Sequence, residues 1–319
     1  MSTEAALRRR WPRGAGRALA LLSTFAVLLA LIAVFSPYFF RTGNLLNVGT
    51  QSAMLAILAV GMSVVLLTGG IDLSLPANMA LAGIAGSYAM IGTDSVLLGC
   101  LVMIAAGTAV GALNGVAVAW LRMIPFVVTL AMLSICSGIA VWVTNSTSIS
   151  SQPERFFDVF LARPFGIPAA IFLTLAVAGL GQWLTGATVF GRRLYAVGIN
   201  PAAARIARVP VARTLFIAYA FAGAMAGVAA VVITARLGSA SANIGNDSVI
   251  LDIITACVIG GISIYGGVGR PLGAVFGAVF VLILGNVLNL AGISFFVGLM
   301  LKGVIIVAVV AADRAAGER

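Results

Sequence analysis

Few residues in this chain have the type and spacing to do chemistry. Nine acidic side chains and no histidine occur in 319 residues, so the usual general base and the commonest metal ligand are missing. The three cysteines, Cys100, Cys136 and Cys257, each lie alone in an apolar stretch. They indicate neither a zinc site nor a disulfide framework and read as small core residues. No GxxxxGK(S/T) loop is present, so no ATP site is assigned and no cofactor is expected. What remains is one carboxylate in a polar, glycine-bearing break: Thr68-Gly69-Gly70-Ile71-Asp72-Leu73-Ser74-Leu75-Pro76-Ala77-Asn78. The run Leu45 to Leu67 before it is long enough to cross a bilayer, and Met79 to Ile91 after it crosses only if the break is included. Irregular backbone at that depth is tolerated where protein buries it or where it lines a water-filled cavity, because lipid cannot satisfy free N–H and C=O groups. Asp72 therefore reads as a helix cap, with Ser74 as N-cap and Pro76 in the first turn, or as a residue shaping an inner gate. The two roles are compatible.

The elements that must position this carboxylate are apolar spans. With 61% apolar and 9% charged residues and a mean hydropathy of +1.14, the chain is expected to be an all-α polytopic membrane protein. A crossing helix takes about 20 apolar residues, and ten stretches qualify: roughly 18–36, 45–68, 74–91, 95–119, 124–144, 167–186, 213–236, 249–265, 271–290 and 294–312. Residues 1–17 are then a basic N-terminal segment, 18–312 the transmembrane domain and 313–319 the C-terminal segment. The net charge of +10 is not arranged as a groove-facing patch with interleaved aromatics, so no nucleic-acid partner is expected. It marks topology instead. With the N-terminus inside, fourteen arginines fall on inner segments and only Arg41, Arg155, Arg163 and Arg236 outside, which places both termini in the cytoplasm. The apolar run after residue 17 is too long for a signal peptide and lacks a cleavage pattern, so an uncleaved first helix is expected.

Further features lie along this frame. Gly107, Gly111 and Gly115 form a ladder at four-residue spacing, which lets another helix approach closely. Asn114 beside it either hydrogen-bonds across helices or faces a solute. The outer loop 145–166 carries Glu154, Arg155, Asp158 and Arg163, a surface suited to a soluble partner or simply a solvated loop. The longest inner loop, 187–213, includes Arg192 and Arg193, and within it Pro201 to Val209 reads as a short helix. Asn200 supplies the N-cap, Pro201 the first helical position and alanines the middle. Ala203, Ile206 and Ala207 are expected on one face, and Arg205 and Arg208 on another. Such a helix either lies against anionic lipid head groups or inserts into a groove of a cytoplasmic partner. Between the eighth and ninth spans, Val258 to Gly273 holds six glycines, and its Gly260-Gly261-Ile262 echoes Gly69-Gly70-Ile71. Paired interrupted segments are a pointer to duplicated transporter architecture.

Three of these stretches carry a family resemblance: Gly69-Gly70-Ile71-Asp72-Leu73-Ser74, Phe190-Gly191-Arg192-Arg193-Leu194-Tyr195-Ala196-Val197-Gly198-Ile199-Asn200-Pro201, and Leu251-Asp252 through Gly260-Gly261-Ile262-Ser263 to Gly266-Gly267. In this order and spacing they resemble the ribose-type permeases of bacterial ABC importers, over most of the chain. The resemblance implies the ten-helix type II importer fold in the bacterial inner membrane. It also implies a second permease subunit, identical or different, an ABC ATP-binding subunit and a periplasmic sugar-binding protein. It makes Pro201 to Val209 the helix coupled to the ATPase, with Arg192, Arg193, Asn200, Pro201, Ala203, Ala204, Arg205 and Arg208 at that contact. The chain departs from the family after Ser74, where Leu75-Pro76-Ala77 replaces Val-Gly-Ser and the proline stiffens the mouth.

The expected function is thus a permease for a monosaccharide, with ATP hydrolysis left to a partner chain. The alternatives are a permease for branched-chain amino acids or another small polar solute, and an ion-coupled secondary transporter. Coupling of the latter kind needs intramembrane acids or histidines, and only Asp72, Asp252 and Lys302 qualify. A translocation path or gate is expected to involve Asp72, Asn78, Asn114, Asn286 and Asn289, with Gln51 a further candidate and Phe126 and Trp142 as stacking faces. Each amide reads more readily as helix-packing glue.

Overall fold

The computed structural model describes residues 39–245, 247–292, 294, 296–300 and 303–304. The first expected span, most of the tenth with Lys302, and both terminal segments lie outside the described residues. Among those described, the secondary structure is helical apart from an isolated antiparallel bridge between Ile149 and Ala240. In chain order the helices are α1 (Thr42–Leu67), α2 (Leu75–Thr93), α3 (Val96–Ala119), α4 (Pro125–Thr144), α5 (Glu154–Phe160), α6 (Ala169–Ala187), α7 (Val189–Ile199), α8 (Pro201–Ile206), α9 (Val211–Leu237), α10 (Asp247–Ile259) and α11 (Pro271–Leu290). Short 3-10 turns sit at Pro164–Gly166 and Ala242–Gly245. Among the described residues, six helices, α1, α3, α4, α6, α9 and α11, are long and apolar enough to cross a membrane.

The expected eighth span differs from its sequence reading. Instead of running to 265, α10 stops at Ile259 after 13 residues, a rise of about 20 Å against a hydrocarbon core of about 30 Å. The inner loop 187–213 differs too, because α7 and α8 make most of it helical. Thr188 caps α7 by accepting the Gly191 N–H at 3.2 Å, and Gly191, Leu194 and Val197 form its buried face.

Two helices occupy the centre. The most apolar stretch of α1 is 83% buried and that of α9 67%, against 28% for α3 and 22% for α4. Around this pair, α9 packs against α3, α1 and α2, while α1 also meets α11, α6 and α10. Lipid is as apolar as leucine, so helices associate in a membrane by close packing of small residues. The ladder does this. A Cβ on Gly107 would lie 2.4 Å from the Gly223 carbonyl oxygen, and one on Gly111 would lie 2.3 Å from the Tyr219 carbonyl oxygen. From the other side, a Cβ on Gly223 would stand 2.2 Å from the Gly107 carbonyl oxygen. The backbones of α3 and α9 are in direct contact, as the four-residue spacing predicts.

On the side where α2 ends, the 145–166 segment is pinned to the bundle. Ile149 and Ala240 exchange backbone hydrogen bonds at 2.9 Å in both directions, the Gln152 side chain donates to Ser87 Oγ at 3.0 Å, and Phe156 is fully buried. Glu154, Arg155, Asp158 and Arg163 remain exposed on this fixed base.

The α3–α9 contact leads to a paired test. Gly223→Val should lower stability by about 2–3 kcal/mol through overpacking, whereas Gly138→Ala, at a helical position with nothing within 4 Å, should leave it unchanged or slightly raised. Thermal melts of the purified variants in one detergent read both. A Gly223→Val melt equal to that of the wild type would contradict the direct backbone contact.

Candidate functional site

The break after α1 begins with a helix stop. Gly69 has φ +78°, its N–H donates to Leu66 O at 2.8 Å and the Gly70 N–H to Val65 O at 3.3 Å, the two bonds of a Schellman motif. Gly70 is required for a different reason. A Cβ there would lie 2.6 Å from the Tyr219 hydroxyl, and this hydroxyl donates to the Ile71 carbonyl at 3.2 Å. Thr129 Oγ1 of α4 donates to the same carbonyl at 3.4 Å. Tyr219 sits two turns into α9, about 12 Å above its first residue. The break is therefore held well inside the bundle, by α4 and α9.

Asp72 is fully buried. Its Oδ1 accepts the Ser74 N–H at 2.9 Å and the Ser74 hydroxyl at 2.5 Å. Asn114 on α3 donates from Nδ2 to Ser74 Oγ at 2.9 Å and, more weakly, to Asp72 Oδ1 at 3.5 Å. The expected N-cap is thus rearranged, because the Ser74 side chain makes no capping bond to α2 and turns its hydroxyl to Asp72. One turn on, Asn78 donates to the Gly107 carbonyl at 3.0 Å, where the α3 glycine leaves space for it. Three acceptors of this knot, Asp72 Oδ2, Asn78 Oδ1 and Asn114 Oδ1, take no hydrogen bond from the described protein.

A second discontinuity, not recognised in the sequence, meets this one. Between α9 and α10 the chain passes through Gly238 (φ +67°) and runs alongside α2. Ala240 packs with Ile84 and Ala140, and a Cβ on Gly245 would lie 2.5 Å from the Pro76 carbonyl oxygen. Pro76 is buried at this contact. The run Gly238-Ser239-Ala240-Ser241-Ala242-Asn243 with Gly245 was the available signal, since small turn-forming residues cluster there. This segment beside α2 leads directly into α10, which begins at Asp247.

The third break follows α10. Gly261 has φ +79°, its N–H donates to Val258 O at 2.9 Å and the Ile262 N–H to Cys257 O at 3.0 Å, again a Schellman stop. The echo of Gly69-Gly70-Ile71 in Gly260-Gly261-Ile262 is therefore a repeated helix end, offset by one residue: the left-handed glycine is the first of one pair and the second of the other. Gly260 is needed for close packing, because its Cβ would lie 2.2 Å from the Gly273 carbonyl oxygen.

These helix ends converge with α7. The Gly267 N–H donates to Leu67 O, at the end of α1, at 3.0 Å. A Cβ on Gly198 would stand 1.9 Å from that same Leu67 oxygen, and one on Gly266 would lie 2.8 Å from the Gly69 nitrogen and 2.9 Å from the Gly198 oxygen. Tyr195 of α7 donates from its hydroxyl to Gly269 O at 2.7 Å, and Leu194 is buried with Val64, Leu67 and Ala218. Five glycine backbones and one tyrosine thus join α7 to the end of α1 and to the 263–269 loop.

From this junction α8 projects. Asn200 Oδ1 accepts the Ala202 and Ala203 N–H groups, both at 3.0 Å, and Pro201 opens the helix, as the sequence predicts. The helix is shorter than expected and ends at Ile206. Val209 N–H donates to Ala204 O at 2.9 Å and Arg208 N–H to Arg205 O at 3.0 Å, with Arg208 at φ +59°. Ala204 is buried with Val197 and Val211, so it faces its own chain. Ala203, Ile206 and Ala207 are exposed, Ile206 at 86%. Arg192, Arg193, Arg205 and Arg208 are exposed as well.

The expected path residues do not converge on one conduit. Asn78 and Asn114 are fully buried between α2 and α3, while Phe126 and Trp142 are 52% and 78% exposed on α4. Asn286 forms a reciprocal amide pair with Asn44, at 3.0 and 3.1 Å. Gln51 donates to Asn47 at 3.0 Å, and Asn289 is exposed one turn from Asn286. Asn44, Asn47 and Gln51 share one face of α1 by their three- and four-residue spacing. Together with Asn286 and Asn289 of α11 they make an amide stripe at the end of the bundle opposite the α7 junction. Asn44 and Asn47 were missed in the sequence, although that spacing was legible there.

A family described as the branched-chain amino acid transport system / permease component matches residues 44–310. The ribose import permease protein RbsC of Escherichia coli (strain K12) is 36% identical over 298 residues, 92% of each chain. The L-arabinose transport system permease protein AraH of the same strain is 33% identical over 296 residues, 92% of this chain and 89% of the relative. The D-allose transport system permease protein AlsC, also of that strain, is 33% identical over 298 residues, 91% of this chain and 90% of the relative. No solved structure matches the chain.

The Asp72 knot orders its own variants. Asp72→Asn keeps an oxygen where Ser74 donates twice, and should cost less than about 1 kcal/mol. Asp72→Ala leaves two buried donors unpaired, and should cost about 2–3 kcal/mol. Chemical unfolding in detergent measures both, and equal loss in the two variants would contradict the hydrogen-bond assignment.

Proposed function

The chain belongs to the family described as the branched-chain amino acid transport system / permease component, and from that premise we propose that it is the permease subunit of an ATP-driven importer for a monosaccharide. Its place is the bacterial inner membrane. A second permease subunit, identical or different, a pair of ATP-binding subunits and a soluble sugar-binding protein complete the importer. The full chain crosses the membrane ten times in the type II importer arrangement, with both termini in the cytoplasm, an orientation supported by the distribution of arginines. Relatives 33–36% identical, named for ribose, L-arabinose and D-allose, favour a sugar over an amino acid.

The observation that carries the mechanism is the junction of α7 with the end of α1 and the 263–269 loop. The ATPase meets the exposed side of α8, around Ala203, Ile206 and Ala207, with Arg192, Arg193 and Arg208 beside it. Closure of the ATPase pair then moves α8, and rigid elements carry the motion inward. Because α7 has no slack at Gly198, its movement shifts the end of α1 and with it the break that carries Asp72. Spare acceptors at Asp72, Asn78 and Asn114 allow this knot to exchange partners as the inner gate moves. The solute passes along the amide stripe of α1 and α11. Amides exposed at membrane depth face a polar path in preference to lipid, and they hydrogen-bond hydroxyl groups without adding charge.

Uptake of labelled pentoses, hexoses and branched-chain amino acids by a deletion strain carrying the gene tests the substrate class. A monosaccharide should accumulate, dependent on ATP and the binding protein, and accumulation of an amino acid alone would overturn the sugar reading. Asp72→Asn should reach the membrane at normal amount yet take up solute poorly. Ala203→Trp should also be present at normal amount but lose ATPase stimulation by loaded binding protein, whereas Ala204→Trp should lower the amount of folded permease. Full stimulation in Ala203→Trp would remove α8 from the contact.

A further inference from the structure

One cavity in the molecule belongs neither to the Asp72 knot nor to the amide stripe. It has a volume of about 400 Å³ and lies between α8, the α3–α4 turn and the start of α9, lined among others by Arg122, Met123, Pro125, Arg205, Val211 and Leu215. The two arginines come from separate elements, and among the described residues no acidic side chain lines the cavity. The remaining wall is apolar. Two long helices also begin at this wall, α4 at Pro125 and α9 at Val211, so the positive ends of both dipoles add to the arginine charge. A half-open, basic cavity with apolar walls fits a phosphate group that carries a hydrocarbon tail.

The surroundings select the source of the phosphate. Trp120 is 51% exposed, Leu121 66% and Ile124 67%, and all three flank Arg122 at the inner ends of α3 and α4, the two least buried of the six long helices. An acyl chain leaving the cavity therefore meets an apolar surface. On α8, Arg205 and Ala203 lie on either side of the buried Ala204, so the flank that lines the cavity is separate from the face assigned above to the ATPase. We propose that this cavity binds the phosphate of an anionic phospholipid in the cytoplasmic leaflet, held between Arg122 and Arg205. The placement in that leaflet rests on the orientation proposed above. A bound lipid would bridge α8 to the ends of α3 and α4, so the lipid composition of the membrane would act on the element that meets the ATPase.

The test uses the importer complex in nanodiscs of phosphatidylcholine with a minor share of phosphatidylglycerol, released for native mass spectrometry. Nanodiscs present the same lipid on both faces, so the readout is independent of orientation and of the solute carried. Wild type should retain phosphatidylglycerol over phosphatidylcholine by about tenfold relative to the Arg122→Gln/Arg205→Gln variant. Arg163→Gln should retain it as the wild type does. Melting in pure phosphatidylcholine should be the same for all three proteins. Retention unchanged in the double variant overturns the proposal. An arginine-dependent affinity for inorganic phosphate without preference among lipids assigns the cavity to a soluble anion and also overturns it, as does loss of the ATPase subunit with lipid retention intact.

Discussion

A backbone that stops being helical inside a membrane protein must satisfy its peptide groups without help from lipid. That constraint governs this chain at three places: after α1, between α9 and α10, and after α10. Each break is solved by protein groups. The first two carbonyls freed at the end of α1 and of α10 are taken up by Schellman turns at Gly69 and Gly261. The Ile71 carbonyl goes to Tyr219 and Thr129. The Leu67 carbonyl goes to Gly267. The segment before α10 lies against α2 at Pro76 and Gly245. Because the breaks need partners from several helices, α1 and α9 must be central, and their small residues are what lets the neighbours come close enough.

The same requirement links the breaks to function. A helix end satisfied by another segment's backbone moves with that segment. Leu67 O is shared between the Gly267 N–H and the space that only a glycine at 198 leaves open, and Tyr195 adds a bond to Gly269. At Gly198 and Gly266 backbone meets backbone, which leaves little room to absorb displacement. Asp72 then sits one short segment from a point that α7 controls. Its hydrogen bonds are all to groups on the break itself or on α3, so the carboxylate reports any motion of one relative to the other.

Much of this was legible in the sequence. Span limits for α1, α3, α4, α6, α9 and α11 follow from apolar run length, and the ladder Gly107, Gly111, Gly115 gave its contact through spacing alone. The cap at Asn200 and Pro201 was equally plain, because those residue types have few other uses in that order. What failed has physical reasons. Run length overestimated α10, since Ile262 and Ile264 are apolar whether helical or not. It hid the entry at 240–245, where small residues pass for loop. Amide residues are ambiguous in a membrane: Asn78 and Asn114 proved to join α2 to α3, whereas Asn286 met Asn44 across 242 positions, a pairing that no local pattern encodes. Ala204 faces inward because α8 has only six residues, and the contacts of Val197 and Val211 decide its rotation.

Coupling requires that α8, α7 and the 263–269 loop move as one body. Spin labels at Arg205, on the flank of α8 away from the ATPase face, and at Tyr265, both exposed, measure this by double electron–electron resonance in the assembled importer, with the three native cysteines replaced. One narrow distance distribution is expected between the two labels, the same with and without ATP, while distances from either label to one at Trp142 change between the two states. A distance between Arg205 and Tyr265 that shifts with nucleotide in a transport-active complex would contradict movement as one body.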